Sequence, residues 1–364
     1  MPTIGYRCLA AALALTLLAG ASAAAGAADT PPNLRRGVNI THWFRYPPSR
    51  DPAALRAYLD DAAIQQIKDA GLDFVRLPVQ PALLDQLDAV TQAVARLERH
   101  GLSVIISLHP VDWHLETVPS DQARLLSAWR SLAEALRRSD PAMTVPEVLN
   151  EPVFAAEPAA WASLQHRALL TIRGVLPANT IVLTGADWGS VRGLLALRPE
   201  PDRNVIYSFH LYEPPELTAL GAYRPGLDTA AMARLPFPVS DPPPCEAVAA
   251  ATADAPTAGL IRFYCAMRWD ADKVSARIAE AAEWGRRNHV TVIAGEFGAS
   301  ERLNATARLA WLATVRAACE QQRIGWALWG YDDSMGFSVS APGTRALDPG
   351  LLRALGMEPR SVGK

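Results

Sequence analysis

Eight short apolar runs, each followed by a stretch of different periodicity, leave this chain few ways to fold. The runs fall at 34–40, 72–77, 103–108, 144–149, 180–184, 204–209, 290–298 and 324–329. They are of the kind that parallel sheets bury on both faces. Between them apolar residues return at helical spacing. After Asp51 and Pro52, a capped start, come Leu55, Leu59, Ala62, Ala63, Ile67 and Ala70, and Gly71 closes the helix. The same pattern predicts helices over 83–100, from Ser120 or Asp121 to 139, and over 158–176, 191–197, 270–288 and 304–322. A last short one is expected at 349–355.

Strands alternating with helices build an α/β fold around a parallel sheet. With 364 residues the chain can bury a large core as one big domain or two small ones. Once a leader is removed, its length suits one (β/α)8 barrel of the TIM type with an enlarged loop. An open doubly wound sheet is the rival architecture. The first strand-to-helix junction has no Gly-x-Gly-x-x-Gly turn, which counts against a dinucleotide fold. In a barrel, the residues able to do chemistry fall just after strands, on the face where such barrels place their sites. The expectation is therefore a single (β/α)8 barrel. The alternation breaks once, after strand six, where 213–269 is rich in Pro, Gly and Ala. Loops that long in a compact domain are usually functional.

The first residues read as a leader. Arg7 gives a sparse positive end, 8–18 is apolar, and 19–28 is small residues with several Ala-x-Ala options. This predicts a secretory signal peptide over 1–28, with 29–364 as one domain. An uncleaved anchor is the alternative, though the apolar core is short for a membrane span. No Cys follows the run where a lipoprotein signal needs one. A soluble exported protein is expected, secreted or periplasmic, free of the membrane after cleavage, with a monomer as the default. Losing Cys8 leaves Cys245, Cys265 and Cys319, so one disulfide at most. The pair Cys245 and Cys265 flanks one segment and is the expected bridge; Cys319 sits in a helical pattern as a small core residue. No Cys and His cluster at ligand spacing appears, so neither a metal nor another cofactor is expected. The net charge of −2 suggests no nucleic-acid partner.

Two carboxylates stand out at strand ends. In Pro146-Glu147-Val148-Leu149-Asn150-Glu151-Pro152, the polar pair stands where the ladder should stop, and Pro152 removes a backbone donor. Taken alone, Asn-Glu-Pro could equally be a turn. The run from Val290 to Gly298 ends in Glu296 between Gly295 and Gly298. Two glutamates at the carboxyl ends of two strands are the minimum equipment for glycoside hydrolysis. Seven short motifs then occur in order. They are Arg-Gly-Val-Asn at 36–39, Val-Arg-Leu-Pro at 75–78, Leu-His at 108–109, Asn-Glu-Pro at 150–152, His-x-Tyr at 210–212, Gly-Glu-Phe-Gly at 295–298 and Ala-Leu-Trp at 327–329. The chain resembles glycoside hydrolase family 5, the cellulase-like β/α barrels, over nearly its whole mature length.

The resemblance implies a retaining mechanism with Glu151 as acid/base and Glu296 as nucleophile. Such a site holds its carboxyl groups about 5 Å apart. The charge on Glu296 is expected to raise the pKa of Glu151 and keep it protonated. Arg76 inside an apolar strand is costly unless paired. The resemblance puts it beside the nucleophile, and a purely structural ion pair is the alternative. Asn150 is placed to hydrogen-bond a sugar 2-hydroxyl and Tyr212 to orient Glu296. His109 and His210 are placed to bind hydroxyls or hold the acid. Trp329 would stack on a pyranose ring. Asn39, His42 and Trp43 are subsite candidates, with loop packing as the alternative. After His109 the chain departs from the family pattern, reading Pro-Val-Asp-Trp-His, so Trp113 and His114 are expected to shape a different subsite.

The expected activity is endo cleavage of a β-linked glucan-type polysaccharide. A mannan, a β-1,3-linked glucan or a bacterial exopolysaccharide are alternatives, and a transglycosylase would use the same residues. From another class, a catalytically weak polysaccharide-binding protein could occupy the same scaffold.

Overall fold

A computed structural model describes residues 31–337 and 347–357; the expected signal peptide lies outside them. Eight parallel strands close into a barrel in chain order. They are β1 (Arg36–Asn39), β2 (Phe74–Val79), β3 (Ser103–Leu108), β4 (Thr144–Glu147), β5 (Ile181–Thr184), β6 (Val205–Leu211), β7 (Thr291–Phe297) and β8 (Gly325–Trp329). Side chains alternate across a strand, so one set fills the barrel and the other meets the helices. Phe74, Ile105, Val145, Val182, Ile206, Ile293 and Ala327, with Leu34 ahead of β1, form the packed interior cluster. Phe74 fills so much of it that a Cβ on Gly37 would lie 2.4 Å from its ring, which explains the glycine in β1.

Two residues further along, the same alternation brings Asn39, Arg76, Ser107, Glu147, Thr184 and Ser208 inward, all buried. The barrel therefore changes from an apolar lower layer to a polar upper one. On β7 the alternation slips. Phe209 pairs with Ala294 but His210 pairs with Glu296, so Gly295 is one residue extra. Such a bulge re-aims the next side chain. Here it turns Glu296 towards the site, and the Ser208 hydroxyl lies 2.3 Å from where a Cβ on Gly295 would sit.

The helices are α1 (Thr41–Phe44), α2 (Pro52–Ala57), α3 (Asp61–Asp69), α4 (Leu87–Arg99), α5 (Pro119–Ala135), α6 (Pro158–Arg173) and α7 (Val191–Leu195). The single helix expected over 51–70 is thus two. Asp51 caps the first by accepting from the Ala54 amide, and Asp60 starts another by accepting from the Ala63 amide at 2.7 Å. Apolar periodicity runs across the break and hides it. Tryptophans tie helices to strand ends. Trp129 donates its indole N–H to Val148 O at 2.6 Å, and Trp161 to Thr184 O at 2.7 Å.

The segment between β6 and the next barrel helix, expected as a loop, carries α8 (Pro215–Thr218), α9 (Thr229–Met232), α10 (Pro242–Ala250) and α11 (Ala255–Met267). Cys245 and Cys265 join α10 to α11 by a disulfide, Cα to Cα 5.7 Å. Then follow α12 (Ala271–Asn288), α13 (Ala305–Gln321) and α14 (Pro349–Ala354). Cys319 is free and buried, and burial pushes its thiol far above the usual range. Among the described residues no helix is long and apolar enough to cross a membrane.

The bridge closes a loop over a separation of 20 residues, and loops of that size stabilise by about 3 kcal/mol through the unfolded state. Replacing both Cys245 and Cys265 by Ser should lower the unfolding temperature by several degrees and abolish its sensitivity to reductant. Calorimetry with and without reductant checks this; a variant that melts with the parent would show that the bridge contributes nothing.

Candidate active site

Arg76 is the floor of the site. Its side chain is buried, and it donates from Nε and Nη2 to the two oxygens of Glu147, at 2.5 and 2.9 Å. Nη1 reaches Asn39 Oδ1 at 2.9 Å and Glu296 Oε1 at 2.5 Å, and Nη2 reaches Ser107 Oγ and Asn150 Oδ1. Burial opposes the charge on this guanidinium, but Glu147 and Glu296 outweigh it and hold Arg76 firmly protonated. Arg76 thus pairs with Glu147 and with Glu296 at once.

Glu296 is buried, with Arg76 on one oxygen and the Tyr212 hydroxyl donating to the other at 2.8 Å. Burial, then the charges of Glu296 and Glu151, push Tyr212 well above its ordinary pKa, so it stays a donor. Across the opening stands Glu151, on a left-handed residue (φ 44°) just past β4, with 31% of its side chain exposed. His210 sits between the carboxylates, Nδ1 3.1 Å from Glu151 Oε1 and 3.4 Å from Glu296 Oε2. One oxygen or nitrogen from each of the three lies within 4.8 Å of the other two. That spacing would also let them grip a cation, but the Arg76 guanidinium on Glu296 repels one.

The proton balance differs from expectation. Burial would raise Glu151, yet the hydrogen bond and charge of His210 outweigh it, and the carboxyl is lowered rather than raised. For His210, burial disfavours the charged ring, but Glu296 and Glu151 overcome it and the ring is raised. Reading Glu151 against Glu296 alone leaves out the imidazole placed between them. His109 is neutral, because burial and then Arg45 and Arg76 hold it far down. Among the described residues neither of its ring nitrogens has a partner, nor has His210 Nε2.

Several expected subsite residues do other work. Asn39 is buried and donates to the Gly295 and Leu328 carbonyls, so it braces Arg76 and β7 and is out of reach of substrate. Trp43 is buried, with its indole N–H on Leu55 O at 2.8 Å and its ring on Phe44, a packing residue. Trp329 is only 7% exposed; His109 lies parallel at 6.0 Å and the Arg45 guanidinium covers its ring at 5.1 Å, so it offers little open face to a sugar. His42 is half-exposed, 3.9 Å from Asp332. Trp113 lies under Arg124 of α5, and the His114 amide donates to Asp121, which ties their loop to that helix.

Sequence reading passed over Glu147, Arg45 and the chemistry of Trp188. Glu147 had a usable signal, since a lone acid two residues beyond inward Val145 must point inward too. Trp188 follows β5 within three consecutive left-handed residues, Asp187, Trp188 and Gly189. Its amide donates to Pro152 O at 3.0 Å, and Gly189 O accepts from the His210 amide. The Trp188 side chain is 53% exposed, on a backbone tied to the residue that follows Glu151.

A closed (β/α)8 barrel with two glutamates meeting above β4 and β7 defines the class of enzymes that act on O-glycosyl bonds, the glycoside hydrolases. Residues 37–334 match the family model for Cellulase (glycosyl hydrolase family 5), and the chain belongs to that family. It is similar to Endoglucanase 3 of Fibrobacter succinogenes, 27% identical over 358 residues, covering 89% of this chain and 53% of that one. It is also similar to Endoglucanase H of Acetivibrio thermocellus, 24% identical over 338 residues, covering 88% of this chain and 32% of the relative. The chain thus spans about half the length of the first and about a third of the second. Among solved structures, Thermotoga maritima Cel5A in complex with mannotriose superposes with a TM-score of 0.71 at 22% identity, covering 88% of this chain and 97% of that one.

Taking one partner from a buried pair strands the other charge, at about 3–5 kcal/mol. Glu147→Ala should be destabilised by about that amount in urea unfolding, and Glu147→Gln by less, since it keeps an acceptor for Arg76. A loss below about 1 kcal/mol in the alanine variant would show that Arg76 does not depend on Glu147.

Proposed function

We propose that the protein is an exported, retaining hydrolase that cleaves β-linked glucan-type polysaccharides within the chain. Glu296 is the nucleophile and Glu151 the acid/base. The observation that carries this reading is that one oxygen of each carboxylate lies within 4.8 Å of one oxygen of the other, close to the roughly 5 Å spacing of a double displacement and short of the roughly 6.5–9.5 Å that leaves room for a water. The Cys245–Cys265 disulfide supports an oxidising compartment.

In the first step a Glu296 oxygen attacks the anomeric carbon, the glycosidic bond breaks, and the leaving oxygen takes a proton from Glu151. In the second, Glu151 takes a proton from water, whose oxygen displaces Glu296. Arg76 and Tyr212 aim the nucleophile and spread its charge. The proton for the first step is held in the His210–Glu151 hydrogen bond. In the open site it rests on His210 Nδ1. When a sugar excludes water, the neutral pair is favoured over the ion pair, and the proton crosses to Glu151 Oε1. Trp188, an exposed ring on a backbone tied to Pro152, offers a surface on which a sugar can stack.

Reducing-sugar release from a panel of β-glucans and mannans tests the reading. One polymer should be cut, and Glu296→Ala and Glu151→Ala should each lose most of that activity; removing a general acid or base costs about 10²–10⁴-fold. On an aryl glycoside with a dinitrophenyl leaving group, which needs no proton, Glu151→Ala should keep the first step while Glu296→Ala does not. A wild type that cuts a polymer no faster than Glu296→Ala would refute the assignment.

The pH profile supplies a separate check. In the wild type the proton needed for cleavage is lost with the raised pKa of His210. In His210→Gln it is lost from Glu151 itself, a carboxyl that burial and the neighbouring Glu296 raise but whose type starts about two units below an imidazole. The alkaline limb of kcat/KM should therefore move to lower pH. A limb that stays in place would show that His210 does not hold the proton.

A further inference from the structure

Arg45 is a half-buried cation with no carboxylate in ion-pair contact among the described residues. The other half-buried or buried arginines near it in character meet acceptors: Arg36 pairs with Glu320, Arg76 with Glu147 and Glu296, Arg173 with Asp202, and Arg277 with Glu213. Arg308 donates to the Ala299 and Gly336 carbonyls. Among the described residues Arg45 has no carboxylate partner, and its Nε is buried without a hydrogen bond. The acids of the neighbouring β8 loop are committed elsewhere. Asp332 accepts from the Tyr58 hydroxyl and from the amides of Thr41 and His42, and Asp333 accepts from the Met335 amide.

Two rings hold the guanidinium in place, Trp329 at 5.1 Å and Tyr46 at 4.9 Å. Cation–π contacts fix such a group but leave its N–H donors unspent. It lies within electrostatic range of the site, since its charge lowers both Glu151 and His109. At the place where a neutral polysaccharide would want the bare indole face of Trp329, the cleft presents a planar, pre-oriented charge. A guanidinium matches a carboxylate in a bidentate pair.

We propose that Arg45, lying over the Trp329 ring, recognises a carboxylate on the sugar seated beside it, so that the cleft prefers an acidic β-linked polysaccharide to its neutral counterpart. The carboxylate belongs either to a uronic acid ring or to a pendant acidic substituent; the recognition chemistry is the same. The inference rests on the polysaccharide reading of the site. It concerns local charge alone, because the chain carries a net −2 and has no general attraction for polyanions.

The test is affinity electrophoresis of the full chain carrying Glu296→Gln, so that the polymers stay intact. The gels contain neutral hydroxyethylcellulose, carboxymethylcellulose with pendant carboxylates, or cellouronate with a carboxylate on each ring. Tighter binding to at least one acidic polymer is expected, weakened by salt, and whichever polymer it is tells the two sources apart. Adding Arg45→Gln should lower the ratio of acidic to neutral affinity by about tenfold or more, and Arg45→Lys should restore part of it. A purely structural role for Arg45 would weaken both polymers together and leave the ratio unmoved, which overturns the proposal. Equal affinity of the parent for acidic and neutral polymers overturns it as well. Cleavage of neutral glucan by the wild type in that case keeps the hydrolase reading; binding to no polymer and cleavage of none removes both.

Discussion

A charged guanidinium buried inside a barrel must be surrounded by acceptors, and this requirement organises the upper half of the molecule. Arg76 on β2 draws in Asn39 from β1, Ser107 from β3, Glu147 and Asn150 from the end of β4, and Glu296 from β7. Five strand ends are thereby set relative to one another by one side chain. The two carboxylates differ in what else they meet. Glu147 gives both oxygens to Arg76 and is closed off below. Glu296 gives one to Arg76 and the other to Tyr212, and it faces the opening. The same charge balance that makes a buried arginine tolerable thus leaves an oriented carboxylate at the base of a cleft.

Proton placement above that floor follows from position more than from residue type. Three groups that could each hold a proton are crowded together, and the one in the middle is an imidazole with carboxylates on either side. Two carboxylates alone would drive one of them neutral. An imidazole between them relieves the repulsion by taking the proton itself, which is why Glu151 is lowered and His210 raised. Both shifts favour an ion pair between the two groups, and loss of water would work against it.

Much of this was legible in the chain and the rest was hidden for definite reasons. Strands such as Val-Ile-Ile-Ser-Leu after Ser103 can be read because a parallel strand is apolar on both faces. Arg76 and Glu296 are visible because a charge inside or at the end of such a run needs an explanation. Glu147 was missed because the eye stops at Asn150-Glu151, although strand alternation puts Glu147 inward beside Val145. Trp43 reads equally as a subsite or a packing residue because a tryptophan after a strand can face the cleft or the core. Only the hydrogen bond to Leu55 O decides, and that carbonyl belongs to a different helix. The break between α2 and α3 hid behind apolar residues that keep helical spacing across it. Trp188 and Arg45 depend on left-handed backbone and ring packing, which short motifs do not encode.

The floor and the wall of the cleft answer to different constraints. On the floor Arg76, Glu296, Tyr212, His210 and Glu151 are locked together by hydrogen bonds and charge, so a change in one is felt by the others. The wall only has to suit a particular sugar. On it Trp329 is covered by Arg45, while Trp188 stands exposed on a loop clamped to Pro152 and His210. Arg45 brings a cation without a carboxylate partner among the described residues and Trp188 an exposed ring, so the two offer different chemistry to a ligand. A polysaccharide with an acidic group on every residue would meet a cation at one position alone. Discrimination by Arg45 is therefore local, one carboxylate at one position, and does not grow with the total charge of the polymer.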